Sequence, residues 1–472
     1  MITKLRCGFM LPVRACVGAL FLTMVTPVEA HAPLDDILQT IAEGSTIGIL
    51  VVDDQGREIV SISADHRFVP ASNTKVFTTA AAFALLPELN TSDFASSATV
   101  ALENGSVILK GRGDARMSSA ADCRSFCLVS LADSIAAKMP RVGLIVGDAT
   151  FLPDERWSLG MSWNNIGKTS GTAIAALSID DNEIPLVVTP NALGSAPQVD
   201  INAYYTVDNQ ATTVERGPPT LEIKRMPFSR TMILTGNIAA SAPAERYSVG
   251  VDDPAHYSAW MLAQMLGTRG IQVDKEVVSR YRLAAANPSP PTTIIASIVP
   301  PPLIADIVRI NKFSQNLHAE LLLRRISLAL GDGSVSDGLD QVQRVLTIAG
   351  LDRSSYDFSD GSGMSTYNRV TPRGVVTLLN WVNTQAWGAA FRGTLPVAGV
   401  DGTLTNRFIG TLLQGKLFAK TGSLNAVSAL SGWMTAKSGK ILTFSIIVND
   451  IPHGAAATHA IDNALVAIAE AN

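Results

Sequence analysis

Ser72-Asn73-Thr74-Lys75 sets a hydroxyl and an ammonium one helical turn apart, at the mouth of the apolar run Val76, Phe77, Ala80, Ala81, Phe83 and Ala84. A serine hydroxyl is a weak nucleophile until a neighbouring base takes its proton, and a neutral lysine is such a base. Free lysine titrates near ~10.4, so its basic form is rare at neutral pH. Burial together with a second cation lowers that value by up to ~3–5 units. An ammonium in the first turn of a helix also opposes the macrodipole. A position that disfavours the charged form favours the amine. Acyl transfer through Ser72, with Lys75 as base, is the chemistry this pair can do. The structural alternative is a plain cap, with Ser72 closing the helix N-terminus and Lys75 solvated in the first turn.

Two more short motifs follow in order, Ser314-Gln315-Asn316 and Lys420-Thr421-Gly422, the latter followed by Ser423. Each is weak alone. An S-x-N arises by chance about once or twice in a chain of this size, and Ser162-Trp163-Asn164 is another instance. Placement on structural elements gives them weight. The stretch "STIGILVVDDQGREIVSIS" reads as a hairpin turning at Gly56. Near the other end, "GKLFAKTGS", "AVSALSGWMTA" and "ILTFSIIVND" read as three strands, with a closing helix in "ATHAIDNALVAIAEA". One antiparallel sheet assembled from both ends of the chain is expected, with Lys420 at a strand end. "NKFSQNLHAELLLRRISLAL" reads as a strong amphipathic helix, with the Ser314-Gln315-Asn316 motif preceding a helix, and His318 is a surface or packing residue rather than a ligand.

From about residue 96 to 290, short β-like runs alternate with Gly, Pro and Ser, interrupted by a helical pattern in "PAHYSAWMLAQMLGTRG". The proline-dense "ANPSPPTTIIASIVPPPL" marks the passage back. The expected organisation is a signal peptide over 1–32 and a main domain built from 33–95 and 294–472. A first inserted unit covers 96–180 and 246–293, and a second, nested within it, covers 181–245. The fold class is α+β and multidomain, with a large, mostly β insertion.

Composition narrows the function. The chain has 472 residues, 47% hydrophobic and 17% charged, with a net charge of −4. That balance offers no basic field for nucleic acid. "MITKLRCGFMLPVR", the apolar "ACVGALFLTMVTPV" and then "EAHA" form a basic region, a short apolar core and a small-residue cleavage site. The run is shorter than the ~20 residues that span hydrocarbon, which favours a cleaved signal over a retained anchor. Cys123 and Cys127 then remain, either as a small-loop disulfide or as two buried thiols. Six scattered histidines form no H-E-x-x-H pair, and no metal or cofactor is expected.

In these three motifs the chain resembles the penicillin-interacting serine enzymes, and among them the D-alanyl-D-alanine carboxypeptidase/endopeptidase family S13. The long separation of Ser72 from Ser314 is similar to that family's, as are "VPASNTKVFTTAAAF", "GRGDARMS", "AALSIDDNEIP", "DGSGMSTYNRVTP", "GVDGTLTNR" and "KLFAKTGSLNAVSALSGW". The resemblance implies a β-lactamase/transpeptidase-like main domain, periplasmic location and peptidoglycan stem peptides as substrate. It also implies β-lactams as covalent inhibitors, with peripheral membrane association as a further possibility. It assigns Ser72 as nucleophile, Lys75 as base and Ser314 as a proton relay bridging Lys75 and Lys420. Asn316 becomes a holder of Lys75 and of the substrate amide. Lys420, Thr421, Gly422 and Ser423 become the substrate-binding edge. Arg112-Gly113-Asp114 fits the family's Gly-x-Gly-Asp turn rather than an adhesion motif, and the loop at Asp360 to Gly363 reads as structural. Thr366 stands where many members carry arginine, and Asn164 and Asn165 where acidic residues are frequent, so the usual acid–arginine recognition of a diaminopimelate side chain is not expected. The alternatives are a β-lactamase-like hydrolase and a non-catalytic peptidoglycan-binding scaffold.

Overall fold

The computed structural model describes residues 31–86, 88–103, 105–282 and 293–472; the expected signal peptide lies outside the described residues except for its last two positions, and part of the proline-dense passage lies outside them too. After α1 (His31–Leu38) come β1 (Thr46–Val52), β2 (Glu58–Ile62) and α2 (Thr74–Leu85). The chain returns through α3 (Leu303–Phe313), α4 (Asn316–Ser327), α5 (Val335–Ile348) and α6 (Pro372–Thr384). It finishes with β3 (Leu417–Leu424), β4 (Val427–Thr435), β5 (Ile441–Asn449) and a last helix, Thr458–Ala471.

The five strands form one antiparallel sheet in the order β2-β1-β5-β4-β3, so the two chain ends meet where β1 pairs with β5. Both faces are covered. Ile49 and Val51 of β1 join the core shared with the last helix, while Leu50 and Val52 contact Val376 of α6. This two-sided burial explains why β1, β4 and β5 read as near-continuous apolar runs rather than strict alternations. β3 is the edge strand. Helix α2 is buried along almost its whole length, from Thr74 to Phe83, and packs against α4 and α5 in a second core.

The expected helix over "NKFSQNLHAELLLRRISLAL" is divided in two, with the Ser314-Gln315-Asn316 motif at the start of the second part, as expected. Ser314 adopts left-handed backbone angles, φ 60° and ψ 33°, which end α3, and α4 starts afresh at Asn316. The apolar period runs through this break unchanged, so the hydrophobic pattern alone cannot show it. His318 is not at the helix surface; it is fully buried and hydrogen-bonded to Asp306 and Asp181.

The insertion holds a five-stranded mixed sheet, in the order Val278–Arg282, Ile145–Pro153, Ser106–Lys110, Ala98–Glu103, Thr293–Ile298. Helices Leu128–Ala136 and Pro254–Gly267 join its core. Thr293–Ile298 pairs with Ala98–Glu103, which carries this unit past the expected return at 294. Short sheets between Glu183 and Gly250 enclose a smaller core of Leu186, Val188, Ala211 and Leu234. Cys123 and Cys127 form a disulfide. Asp114 is buried and ion-paired with Arg116, so the Arg112-Gly113-Asp114 tripeptide is not displayed for adhesion. Among the described residues no helix is long and apolar enough to cross a membrane.

Candidate active site

Ser72 lies in a single 3-10 turn, Ala71–Asn73, that leads directly into α2. Its side chain caps nothing, which removes the plain-cap reading. Ala71 is held at φ 48°, a backbone region costly for a residue with a Cβ. The turn is clamped from both sides by close backbone approach. A Cβ on Gly363 would lie 1.9 Å from the Ala71 carbonyl oxygen, and one on Gly422 would lie 2.6 Å from that of Pro70. Glycine at those two positions lets the 360–363 loop and strand β3 close on the serine.

Lys75 is fully buried. Its Nζ lies 2.9 Å from Ser72 Oγ, 2.6 Å from Asn316 Oδ1 and 2.6 Å from the Ser362 carbonyl oxygen. Asn316 also donates from Nδ2 to the Ser170 carbonyl, at 2.8 Å, so its Oδ1 is the atom that faces Lys75. Lys420, also fully buried, donates to Ser314 Oγ at 2.9 Å and to the Thr421 carbonyl at 3.0 Å. The left-handed turn at Ser314 puts that hydroxyl and the Asn316 amide on the same cleft from two different helices. Thr421 Oγ1 meets Thr403 Oγ1 at 2.8 Å, Gly422 is buried, and Ser423 is exposed at the strand end.

The eight expected residues thus converge from three remote segments, with one correction. Ser314 does not bridge the two lysines: its hydroxyl is held by Lys420, while the three partners of Lys75 are Ser72, Asn316 and Ser362. The electrostatics also differ from expectation. Burial pushes Lys75 down to about 7, against the pull of Asp360 and Glu320, which favour its charge. Lys420 falls well below its ordinary value through burial first and the charge of Lys75 second. Desolvation therefore makes the amine, and repulsion between the lysines acts on Lys420.

Three participants were missed. The Ser362 carbonyl contacts Lys75 directly, and Glu320 and Asp360 organise the loop that carries it. A backbone carbonyl leaves no mark in a sequence, and Glu320 sits in a helical run like any other glutamate. The loop at Asp360 to Gly363 was the available signal. Thr366 is exposed and tied to the Gly160 carbonyl at 2.9 Å, while Asn164 and Asn165 lie in a short turn, Trp163–Asn165.

A five-stranded antiparallel sheet covered by helices, with a serine–lysine pair at its edge strand and a large insertion after α2, is the architecture of penicillin-interacting serine enzymes. The chain belongs to the D-Ala-D-Ala carboxypeptidase 3 (S13) family, whose family model matches residues 30–472. It is 32% identical to a D-alanyl-D-alanine carboxypeptidase of Actinomadura sp. (strain R39), over 93% of this chain and 84% of that protein. It is 25% identical to the D-alanyl-D-alanine carboxypeptidase DacB of Haemophilus influenzae, over 91% of this chain and 90% of the relative. The fold matches the crystal structure of penicillin binding protein 4 (dacB) from H. influenzae, with a TM-score of 0.77 and 22% identity. That match covers 92% of this chain and 97% of the other.

Proposed function

We propose that the protein is a serine-type D-alanyl-D-alanine carboxypeptidase/endopeptidase that cleaves peptidoglycan stem peptides through an acyl-enzyme on Ser72. The observation that carries this reading is the 2.9 Å contact between Ser72 Oγ and the Nζ of a fully buried Lys75. Ser72 Oγ attacks the carbonyl of the D-Ala-D-Ala bond as Lys75 Nζ takes its proton. The backbone amides of Ser72 and Ser423 stabilise the oxyanion, where one donor contributes about 3 kcal/mol. Ser314 delivers a proton to the departing D-alanine nitrogen from its position on Lys420. Lys420, Thr421 and Ser423 hold the terminal carboxylate, and Gly422 lets their strand approach. Asn316 fixes Lys75 through Oδ1, and its Nδ2, now on the Ser170 carbonyl, is the donor for the substrate amide. Water then releases the acyl group.

A β-lactam acylates Ser72 in the same way, but its leaving group stays tethered, which blocks the water and slows release. The H. influenzae penicillin binding protein 4 has been seen complexed with a β-lactam, in a structure of TM-score 0.71 to this one. Secretion through the 1–32 segment places the enzyme in the periplasm, beside its wall substrate. The main domain, built from both chain ends, carries all the catalytic groups, and the inserted units border its cleft. The test is Ser72→Ala. It is expected to lose covalent labelling by a fluorescent penicillin and release of D-alanine from a pentapeptide. Stoichiometric labelling of the variant refutes the nucleophile. Rapid hydrolysis of the penicillin by the wild type would favour the β-lactamase reading instead. Mass analysis of digested peptidoglycan then separates trimming of terminal D-alanine from cutting of cross-links.

A further inference from the structure

Glu320 stands four residues after Asn316 on α4, so the two share a face of the helix. Asn316 reaches Lys75 directly, whereas Glu320 reaches it through the 360–363 loop. Glu320 is buried, and its Oε1 accepts from the Ser362 amide at 2.8 Å and the Gly361 amide at 3.2 Å. Asp360 takes the Gly363 amide at 2.8 Å and the Ser365 amide at 2.6 Å. With its amides drawn toward two carboxylates, the loop turns its carbonyls the other way. Gly361 O accepts from Thr78 Oγ1 at 2.8 Å, and Ser362 O accepts from Lys75 Nζ at 2.6 Å.

This matters because of how few hydrogens a neutral amine has. A neutral lysine carries two N–H groups and one lone pair. Ser362 O can only accept, and Asn316 faces Lys75 with Oδ1 because Nδ2 is engaged by Ser170. Those two acceptors use both hydrogens. The lone pair is left pointing at the third neighbour, the Ser72 hydroxyl. We propose that Glu320 is a positioning residue for acylation: by holding the Gly361 and Ser362 amides it aims the Ser362 carbonyl at Lys75, and so directs the lysine lone pair onto Ser72. The proposal rests on Lys75 being the base. The charged groups acting on Lys75 are Asp360 and Glu320, while Lys75 itself acts on Lys420; burial and then Asp360 push Glu320 up to about 7, against the pull of Arg324.

Two substitutions separate positioning from charge. Glu320→Gln keeps one oxygen for both amides but removes the ionisable carboxyl. Glu320→Ala removes the acceptor altogether. Acylation rates by a fluorescent penicillin are measured from pH 5.5 to 9, with the label mapped by mass to its residue. In Glu320→Gln the plateau is expected to be nearly kept, because one oxygen still serves both amides. In Glu320→Ala the plateau is expected to fall about tenfold or more below that of Glu320→Gln. Equal plateaus in the two variants overturn the proposal. If Glu320→Ala does not fold, Glu320→Asp decides: it keeps the carboxyl but withdraws the acceptor by one methylene, so its plateau is expected to fall severalfold below that of Glu320→Gln, and an equal plateau overturns the proposal. A wild-type label mapping away from Ser72 overturns the acyl-enzyme reading itself, and this inference with it.

Discussion

Lys75 and Lys420 are both dry, yet their surroundings are unequal. Lys75 has Asp360 and Glu320 beside it, whereas the charge that acts on Lys420 is that of Lys75. In the proposed mechanism a substrate carboxylate arriving at Lys420 would supply the anion that lysine lacks, and a proton held there would repel one on Lys75. Binding and base formation then reinforce each other. With Lys75 lowered to about 7, the rate of acylation is expected to rise as pH passes through 7 and to level off above it. An unperturbed lysine would put that rise near ~10. Stopped-flow acylation across pH 5.5 to 9 checks this, and a flat profile contradicts it. Lys75→Arg, whose guanidinium keeps its proton, is expected to be inactive across the whole range. At this scale the sequence was informative wherever chemistry resides in side chains at fixed spacing, as with Ser72 and Lys75, Ser314 and Asn316, and Lys420. It was silent on the Ser362 carbonyl, because main-chain groups have no letter of their own. The role of Glu320 shows only through its contacts with Gly361 and Ser362, 41 and 42 residues further along the chain.

Elements follow the same logic. Strands β1, β4 and β5 were legible because apolar runs bounded by turns identify buried strands. The break at Ser314 was not, since one left-handed residue leaves the hydrophobic period of α3 and α4 intact. The strained turn at Ala71 was equally hidden, as only the packed loop beneath it requires that conformation. Gly363 links the two, with φ 87° and the Ala71 carbonyl where its Cβ would be. Gly363→Ala therefore combines backbone strain with a clash against main chain that cannot move without moving Ser72. A loss of about 2 kcal/mol or more is expected, together with a clear fall in acylation by penicillin. Gly44, at φ 88° with nothing near its missing Cβ, is the control. Gly44→Ala should cost about 1 kcal/mol and leave acylation untouched. Denaturant melts and penicillin labelling of both variants test this, and equal acylation in the two would remove the clamp from the argument.

Across the whole molecule, the insertion is fastened to the main domain around the same helix that carries Asn316. Asn316 Nδ2 meets Ser170, Arg324 pairs with Glu155, Arg309 pairs with Asp181, and His318 lies between Asp181 and Asp306. His318 is the titrating member. Burial opposes its charge, but Asp306 and Asp181 outweigh burial and raise it to about 9 from an ordinary 6.5. Its folded form holds the proton more tightly than the unfolded chain does. Its stabilisation is therefore complete below pH 6.5 and is lost as pH rises through about 9. Lys75 works against that trend. Lowered from 10.5 to about 7, it makes the folded state relatively more stable as pH climbs from about 7 to 10.5, an interval that overlaps that of His318. Lys420, also lowered, acts in the same direction, so the wild type alone shows only the sum of opposing slopes. Comparison with His318→Gln isolates the histidine, because Lys75 contributes equally to both proteins. The melting temperature of the wild type should exceed that of the variant most at pH 6 and converge toward it by pH 9.5. A gap that is constant across that range would mean His318 acts by packing alone, and that the joint between insertion and main domain carries no proton-linked term.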